Sequence, residues 1–451
     1  MALTTTAPIA AVRRAVTGLG SAASDRTRGA VAWGVGHGVP RLAVRSLAAR
    51  GDLQGRLIMQ GTDGGDVSAL IEQARAQGPL VRTRLSYLTA DHAVVKEVLS
   101  HADFRTGDPT QASGLLEGLS RWANRDALHP LRAPSMLVTE PPDHTRYRKL
   151  VTRVFTARAI EDLRERTQQI ADGLLDAIDP SSPVDLVEAY CAALPVTVIA
   201  EILGVPADEH ETVLRYGAMA APSLDLGLDR ATFRMVDRGL RDFDHWLERH
   251  FERLRRDPGD DLFSRLVAAS DEDGVLDDRE LKSTAGLVLA AGFETTVNLL
   301  GNGIALLSAH PEQRDALRAD PSGWGNTVDE VLRIDPPVLL TGRMAARDTT
   351  LAGVDVAAGS QVVALLAGAN RDPAVFADPL RFDVTRENAR DHLAFSSGRH
   401  YCLGAALARM EGEVGLRSLF DRFPDLELLP GASRRPTRIL RGWERLPARL
   451  S

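Results

Sequence analysis

The amino-acid sequence predicts a mostly α-helical protein with a small β portion, built as a single large helical domain. In residues 157–178 apolar side chains recur every three or four positions with charges between them, which is the spacing of an amphipathic helix. After Pro336 the pattern changes to short alternating segments separated by Gly353 and Gly359, and residues 435–450 look similar. The helical periodicity also predicts helices over 184–203, 207–220, 230–256, 277–308, 311–319 and 325–334.

Composition narrows the function classes. The formal net charge of the 451 residues is −7, which does not favour a nucleic-acid-binding protein. The two cysteines, Cys191 and Cys402, are too few for a disulfide framework, so we expect a reducing, cytoplasmic location. No apolar run approaches the roughly 18 residues that a transmembrane segment needs. Cys191 lies in an apolar helix and is expected in the core.

Residues 1–50 differ from the rest of the chain in charge. They contain seven arginines against one acid, Asp25, which gives a charge of +6. They are rich in small residues and lack the apolar core of a signal peptide. We expect a basic, poorly ordered arm, with a membrane-surface or partner-binding role as the alternative. Residues 51–451 are then expected to form the folded domain.

The stretch AFSSGRHYCLGAALARMEG at 394–412 carries the strongest functional signal. Gly398 and Gly404 flank Cys402, and helical spacing begins directly after it. Free N–H groups and the dipole at a helix N-terminus favour a thiolate, and the glycines allow a bulky group to approach the backbone. A thiolate is a nucleophile, for which His400 is a weak candidate base, or a metal ligand. Zinc requires further ligands, whereas haem iron needs one cysteine.

The same stretch resembles the cysteine-loop signature of the cytochrome P450 superfamily, F-x-x-G-x-[HR]-x-C-x-G. The matching residues are Phe395, Gly398, Arg399, His400, Cys402 and Gly404. The resemblance extends over about residues 55–451 and is strongest to soluble actinobacterial members, in particular the mycobacterial group numbered family 140. It implies the cytochrome P450 fold, haem b as the cofactor and Cys402 as the axial ligand of its iron. It also implies that Phe395, Gly398 and Gly404 contact the haem.

The segment LAAGFETTVNLLGN at 289–302 has features that are unfavourable in an ordinary helix. Gly292 costs about 1 kcal/mol relative to alanine in a helix interior, and a buried carboxylate at Glu294 is costly without a partner. We therefore expect a helix that is loosened here, with an acid and an alcohol beside the gap. The segment resembles the oxygen-binding helix of cytochromes P450. The resemblance implies that Thr295 holds dioxygen by a hydrogen bond, that Glu294 relays protons and that Ala291 borders the haem.

Two further sets of residues follow from the resemblance. His144, Arg148, Arg343 and His400 are implied to bind the haem propionates, and His144 and Arg148 share one helix face at i,i+4 spacing. The segments DEVLRIDPP and DPLRFDV are implied to supply a structural ion-pair network, formed by Glu330, Arg333 and Arg381.

The implied function is a haem-thiolate monooxygenase that activates O2 and hydroxylates a hydrophobic small molecule. No flavin or iron–sulfur motif is present, so a ferredoxin and its NAD(P)H-dependent ferredoxin reductase are the expected electron donors. An acidic ferredoxin suits a basic face, for which the candidates are Arg146, Lys149, Arg153, Arg399 and Arg409. Two alternatives stay open. A peroxide-driven peroxygenase or isomerase would not need the relay of Glu294 and Thr295, and a non-enzymatic haem-binding sensor would be expected to carry an output domain.

The expected substrate pocket is mostly apolar, which suits a lipid, a sterol or a polyketide. Its walls are expected to come from 105–135, 218–232, Ala290, Ala291, Val338 to Leu340 and Arg441 to Glu444. Within the last segment, Trp443 is expected either to close the pocket or to be structural.

Overall fold

The computed structural model describes residues 27–107, 122–123, 128–152, 155–271 and 276–450. The first helix, α1, runs over 27–49 and includes a π-helical turn, Gly34–Gly38. The following helices, α2 to α16 in chain order, are Leu53–Thr62, Ser68–Ala76, His92–Ser100, Asp143–Thr152, Ala157–Asp162, Arg164–Asp176, Ala193–Leu203, His210–Ala220, Arg230–Arg256, Leu262–Asp271, Asp278–Ala309, Pro311–Ala319, Trp324–Ile334, Leu366–Ala369 and Ala405–Arg422. Short π or 3₁₀ turns lie at Val187–Cys191, Ala207–Glu209, Ala221–Leu224, Pro321–Gly323, Ala389–Asp391 and Gly398–His400.

The β portion is small, as predicted. The strands β1 to β12 are Val81–Arg82, Tyr87–Thr89, Phe104–Arg105, Val184–Asp185, Thr341–Ala345, Thr349–Leu351, Val354–Val356, Gln361–Ala364, Glu427–Leu428, Ser433–Arg434, Trp443–Arg445 and Pro447–Arg449. The largest sheet has the order β1-β2-β8-β5-β3, in which only β2 and β8 pair in parallel. The register places Arg343 of β5 opposite Val362 of β8.

Most of the predicted helices are confirmed, and local capping explains where they begin. α10 matches the predicted range 230–256, and the Asp229 carboxylate accepts hydrogen bonds from the N–H groups of Ala231 and Thr232. α12 begins after Asp277, which forms a capping box with Glu280. Each cap satisfies N–H groups that have no partner in the first helical turn.

Two predicted helices are interrupted. The single helix expected over 157–178 is divided into α6 and α7, because the Leu163 N–H donates to the Ile160 carbonyl at 3.1 Å in a tighter turn. The segment 184–203 begins as β4, which pairs with β12, and continues through a π-helical turn into α8. Periodicity alone does not show that a distant strand pairs with the first residues of such a segment.

The expected poorly ordered arm differs from the structure over residues 27–49, which form α1. The indole N–H of Trp33 donates to the Leu228 carbonyl at 3.0 Å, and Arg41 donates to the Gly227 carbonyl at 2.9 Å. Val44 is buried. These contacts stabilise a helix that its composition does not predict. Residues 1–26 lie outside the described residues.

The main hydrophobic core lies among α7, α8, α12, α14 and α16. Cys191 is fully buried in this core, and burial raises the pKa of its thiol, which confirms the predicted packing role. Within the part of the chain that the structure describes, no helix is both long enough and apolar enough to cross a membrane.

Candidate active site

Cys402 lies in the loop that leads into α16, and two backbone features fix this loop. The Cys402 N–H donates to the Phe395 carbonyl at 2.9 Å. Gly398 has a φ of +68°, and a Cβ there would lie 2.8 Å from both the Leu99 carbonyl oxygen and the Ser100 Cα. Position 398 therefore needs glycine for its backbone conformation and for its close approach to the end of α4.

The sulfur of Cys402 faces a large cavity, to which it is accessible, while the residue lies deep in the molecule. Burial raises the pKa of the thiol, and the Gly404 N–H together with the charges of Arg148 and Arg409 opposes that rise. The predicted stabilisation of a thiolate is present, but burial outweighs it. Burial therefore disfavours the thiolate relative to the neutral thiol, and a metal cation bound at the sulfur would oppose this effect.

The cavity has a volume of about 1230 Å³. Single small-molecule pockets usually measure about 300–1,000 Å³, so this space exceeds that of one ordinary ligand. Ala291 and Thr295 of α12 line the same cavity as Cys402. Gly404 also lines it, with an ordinary φ of −86°, and a Cβ there would meet no atom within 4 Å. Neither backbone strain nor protein packing requires glycine at 404, and the space beside it is open to a group bound in the cavity.

The α12 helix passes the cavity without interruption, so the predicted loosening is absent. The Thr295 hydroxyl donates to the Ala291 carbonyl at 3.0 Å, and the Thr296 hydroxyl donates to the Gly292 carbonyl at 3.2 Å. A Cβ at Gly292 would lie 2.8 Å from the Ile199 side chain. The glycine thus allows α8 to pack closely, whereas the two threonines retain a continuous helix.

Glu294 is buried and forms an ion pair with Arg435. Burial raises the pKa of the Glu294 carboxyl, and the Arg435 charge opposes that rise. Arg435 also donates to the Trp443 carbonyl at 3.2 Å, which fixes the guanidinium beside α12. The sequence prediction missed this partner, because 141 residues separate the two charges.

Four predicted basic side chains converge on the cavity. The rings of His144 and His400 lie 4.4 Å apart between centroids, and Arg148 donates to the Tyr401 carbonyl at 2.9 Å. Burial, together with the neighbouring His144 and Arg343, lowers the pKa of His400 to about 4. Burial likewise lowers the pKa of Arg343, to about 10. The sequence therefore placed these four side chains correctly around one space.

The basic cluster contains one carboxylate that the sequence prediction missed. Glu140 accepts hydrogen bonds from the Thr106 N–H at 2.7 Å and from Arg399 at 2.7 Å. Burial disfavours its ionisation, but these bonds outweigh burial and lower the pKa of Glu140. Arg343 instead donates within its own strand, to the Thr341 hydroxyl and the Gly342 carbonyl. Its buried charge has no carboxylate partner among the described residues, which suits a bound anion.

Comparison with known proteins identifies this arrangement. The chain is 52% identical over 429 residues to cytochrome P450 140 of Mycobacterium tuberculosis, which covers 93% of this chain and 97% of that protein. This chain belongs to the cytochrome P450 family. The sequence model of the family, cytochrome P450, matches residues 325–443.

Other cytochromes P450 support the assignment. The 6-deoxyerythronolide B hydroxylase of Saccharopolyspora erythraea is 42% identical over 322 residues, which cover 70% of this chain and 78% of that protein. The ligand-free structure of CYP164A2 from Mycobacterium smegmatis matches with a TM-score of 0.78 at 33% identity, and covers 87% of this chain and 99% of that chain. The chain thus has the fold of a cytochrome P450 and belongs to a family of monooxygenases.

Cytochromes P450 use haem, and the residues at this site fit it. The cavity is large, Gly404 leaves room beside Cys402, and Arg343 lacks a carboxylate partner. A bound haem would fit these three observations, because it would occupy the part of the cavity beside Cys402 and would supply both propionate anions and a metal cation.

The structural ion-pair network of this P450 differs from the prediction in one member. Arg333 donates to both oxygens of Glu330, at 2.7 and 2.8 Å, and both residues are fully buried. The third side chain is Arg386, whose Nε donates to Glu330 at 3.2 Å. The predicted Arg381 is exposed and contributes only its carbonyl oxygen, which accepts from Arg333. The prediction of Arg381 was wrong, because the loop that follows α15 directs the side chain of Arg386, and not that of Arg381, toward Glu330.

The cavity wall also differs in part from the predicted substrate pocket. Ala290, Ala291, Val338 and Leu340 line the cavity as expected, as do parts of 218–232. Residues 108–121 and 124–127 of the expected 105–135 lie outside the described residues. The described cavity wall includes residues 438–440 and not the expected 441–444. Trp443 packs against Gly301 and the guanidinium of Arg434 and is structural.

Three members of the predicted basic face are held by carboxylates. Arg146 binds Glu280, Arg399 binds Glu140, and Arg409 binds Asp329 at 2.7 Å. Lys149 is exposed, and Arg153 lies outside the described residues. The contact from Arg146 to Glu280 ties α5, which carries His144 and Arg148, to the first turn of α12.

One buried acid at the cavity was missed entirely. Glu411 of α16 is fully buried and lines the cavity, and neither of its carboxylate oxygens has a hydrogen-bond partner among the described residues. Burial raises the pKa of Glu411 well above its usual value, and the nearby Thr296 hydroxyl only partly opposes this. The helical spacing predicts that residue 411 is in α16. The apolar repeat at Met410 and Val414 does not predict that the acid between them is buried.

Proposed function

We propose that this cytochrome P450 is a haem-thiolate monooxygenase that hydroxylates a hydrophobic small molecule. The observation that carries the proposal is one cavity lined by Cys402, by Thr295 of α12 and by the basic cluster. When bound, haem iron activates O2 with two electrons. The relatives that hydroxylate 6-deoxyerythronolide B and vitamin D(3) support a substrate with a large apolar body.

Cys402 is proposed as the iron ligand. The Gly404 N–H hydrogen-bonds the sulfur, and the charges of Arg148 and Arg409 favour its ionised form. The Phe395 carbonyl holds the backbone of Cys402, while the Phe395 ring packs 4.7 Å from the Arg409 guanidinium carbon. Gly398 and Gly404 give the loop its shape and its clearance.

The basic cluster is proposed to hold the haem propionates. Arg343 and Arg148 supply charged N–H donors, and the His144 and His400 rings, which are neutral at pH 7, supply one N–H each. A buried anion is stabilised most by arginine, because its guanidinium offers parallel donors to two oxygens. Ala291 leaves space beside the ring.

Thr295 and Glu294 are proposed to deliver protons. The Thr295 hydroxyl donates to the Ala291 carbonyl, so a rotation about its side chain is needed before it donates to dioxygen in the cavity. Glu294 holds its carboxylate against Arg435, and a pKa raised by burial lets it exchange protons when that ion pair opens. The path from solvent to Thr295 therefore includes Arg435.

The carbon monoxide spectrum of the reduced protein tests the proposal. The purified wild-type protein should bind haem and show the thiolate-ligated absorption band, and Cys402→His should retain pigment but lose that band. Cys191→Ala is the matched control, because it removes the other thiol from the core and should leave the band unchanged. A wild-type protein that lacks the band, or a Cys402→His variant that keeps it, would refute the assignment of Cys402.

The electron donors are proposed to be a ferredoxin and an NAD(P)H-dependent ferredoxin reductase in the cytoplasm. Because Arg399 and Arg409 are partly neutralised by carboxylates, the docking charge rests chiefly on Lys149 among the described members of the face. Lys149→Glu should slow reduction by ferredoxin and weaken its salt dependence, whereas dithionite should still reduce the protein fully. Equal rates of reduction by ferredoxin in the wild-type protein and in Lys149→Glu would place the docking surface elsewhere.

The peroxide-driven alternative predicts a different pattern. A peroxygenase would turn over with hydrogen peroxide alone and would be insensitive to Thr295→Ala. We expect faster product formation with ferredoxin, reductase and O2 than with peroxide, because Glu294 and Thr295 are both retained at the cavity. A haem-binding sensor would give no product under either condition.

A further inference from the structure

The cavity contains a buried cation that the proposed chemistry does not use. Arg438 lines the cavity far along the chain from the Cys402 loop, in the turn that follows β10. Its Cγ would lie 3.1 Å from a Cβ at Gly61, so its stem packs against α2. Only 15% of the side chain is accessible. The residue is therefore fixed in place while its charged end remains at the cavity.

The guanidinium of Arg438 makes no hydrogen bond with any described residue. Its Nε is buried without a partner, and the nearest carboxylate, Asp225, lies 3.8 Å from that atom. Arginine has five N–H donors, and a buried donor without an acceptor costs roughly 1–3 kcal/mol. Structural ion pairs elsewhere in the molecule are closer, for example 2.7 Å from Arg333 to Glu330.

Asp225 partly balances the charge of Arg438, but it accepts no hydrogen bond from the guanidinium and accepts backbone N–H groups instead. Oδ2 accepts from the Arg438 backbone N–H at 2.9 Å, and Oδ1 accepts from the Ile439 N–H at 3.0 Å. The carboxylate thereby fixes the turn that carries Arg438. The Ser223 hydroxyl, which also lines the cavity, is buried and has no partner.

The cavity that Arg438 lines has many apolar side chains, including Ile58, Leu224, Leu226 and Leu440. A hydrophobic molecule without polar groups would bury Arg438 further and leave its donors unpaired. A molecule with a planar two-oxygen acid at one end would pair with the fork of guanidinium donors and place its apolar part along the wall.

We propose that Arg438 binds a carboxylate at one end of the substrate, so that the substrate class is an amphiphilic acid whose apolar body extends through the cavity toward Cys402. This inference rests on the proposed monooxygenase function, since it names the substrate of that site. Ser223 supplies a second hydrogen bond. Arg438 thus determines which end of the substrate enters first, and hydroxylation falls on the apolar part.

Calorimetry with matched ligands tests the inference on the haem-loaded wild-type protein. Dodecanoic acid, its methyl ester and dodecan-1-ol share one apolar chain and differ only at the end group. We expect the acid to bind at least about tenfold more tightly than the ester, as a charge-assisted hydrogen bond predicts. Equal affinities, or no binding of the acid, would overturn the proposal without any variant.

Variants locate the preference. Arg438→Gln should abolish the preference for the acid while leaving ester binding within about twofold, and Arg438→Lys should retain part of it, because lysine keeps the charge without the fork. Arg84→Gln is the matched control, since Arg84 lines the same cavity but is exposed. This variant should change the affinity of neither the acid nor the ester. If Arg438→Gln weakens acid and ester equally, the residue only shapes the wall.

The carbon monoxide spectrum separates this inference from the proposed function. A protein with the thiolate band but no preference for the acid retains the function and refutes the role of Arg438. A protein without the band refutes the function, whatever the calorimetry gives.

Discussion

The ion network beside the Cys402 loop and the wall of the cavity treat buried charge in opposite ways. Beside the loop, Glu330 forms ion pairs with Arg333 and Arg386. The fully buried Asp329 likewise has three basic partners, which are Arg390, His392 and Arg409. On the cavity wall, Glu411 and Arg438 have oxygens or nitrogens without partners. Saturated charges fix one geometry, whereas unsaturated charges are available to bound molecules. The ion network beside the Cys402 loop therefore favours rigidity, whereas the unpaired groups on the cavity wall favour the recognition of bound molecules.

The largest expected effect is to break the saturated network. Arg333→Ala leaves the Glu330 carboxylate buried with only Arg386, and breaking a buried pair in this way costs about 3–5 kcal/mol. We expect that loss in urea unfolding, together with reduced pigment. Arg381→Ala is the control and should change stability by no more than about 0.5 kcal/mol, because its side chain is exposed. If Arg381→Ala lowered the free energy of unfolding more than Arg386→Ala does, Arg381 and not Arg386 would be the third side chain of the network.

The two glycines that flank Cys402 give the next largest contrast. Gly398→Ala should destabilise the apoprotein by more than about 1–2 kcal/mol, since alanine is strained at this φ and its Cβ would contact the Leu99 carbonyl at 2.8 Å. Gly404→Ala should leave apoprotein unfolding unchanged and weaken haem binding. Thermal unfolding of apoprotein and haem titration measure the two effects. Similar apoprotein stability in both variants would contradict this division of roles.

Thr295→Ala should separate electron use from product formation. We expect NADH consumption to continue while product per NADH falls about tenfold, which corresponds to the loss of one hydrogen bond at the reacting oxygen. Hydrogen peroxide should account for the difference. Thr295→Ser keeps the hydroxyl and should restore most of the coupling. Unchanged coupling in Thr295→Ala would show that Glu294 delivers protons by another route.

The smallest expected effect concerns Glu411 and the pH dependence of stability. Its pKa is raised in the folded protein, so the folded state holds a proton that the unfolded state releases above about pH 4.5. The stability contributed by this proton is complete below that pH and is lost as the pH rises toward the folded pKa. Glu411→Gln should remove this loss and make unfolding less pH-dependent. Urea unfolding at several pH values measures it, and parallel pH profiles for both proteins would refute the assignment.

The Cys402 loop was predicted from a local pattern, whereas His144, Arg148, Arg343 and His400, which also line the cavity, were predicted from the family resemblance. Cys402, Phe395 and the flanking glycines lie within ten positions, and their spacing determines the loop. The ends of α10 and α13 follow from apolar periodicity, helped by the Asp229 cap before α10 and by Pro311 in the first turn of α13. Where a structural feature depends on residues that are neighbours in the chain, the sequence alone is sufficient to predict most of it.

The residues that were missed depend on partners far apart in sequence. Arg435 pairs with Glu294 across 141 residues, and Arg386 replaces Arg381 because of how one loop folds back. In an arginine-rich chain, no local feature distinguishes the arginine that pairs from those that are exposed. The α1 helix was missed for a related reason: its composition favours disorder, and its stability comes from contacts with residues near 228.

The contacts of α1 have a practical consequence for shortened proteins. A chain that begins at residue 51 would keep all the proposed iron, propionate and proton-delivery residues, and would be expected to retain its colour. It would lose the anchors at Gly227 and Leu228, which adjoin Asp225 and the turn that it fixes. In such a shortened enzyme the turn that carries Arg438 would be less firmly held. Ligand selectivity measured on it would therefore be lower than that of the full-length chain.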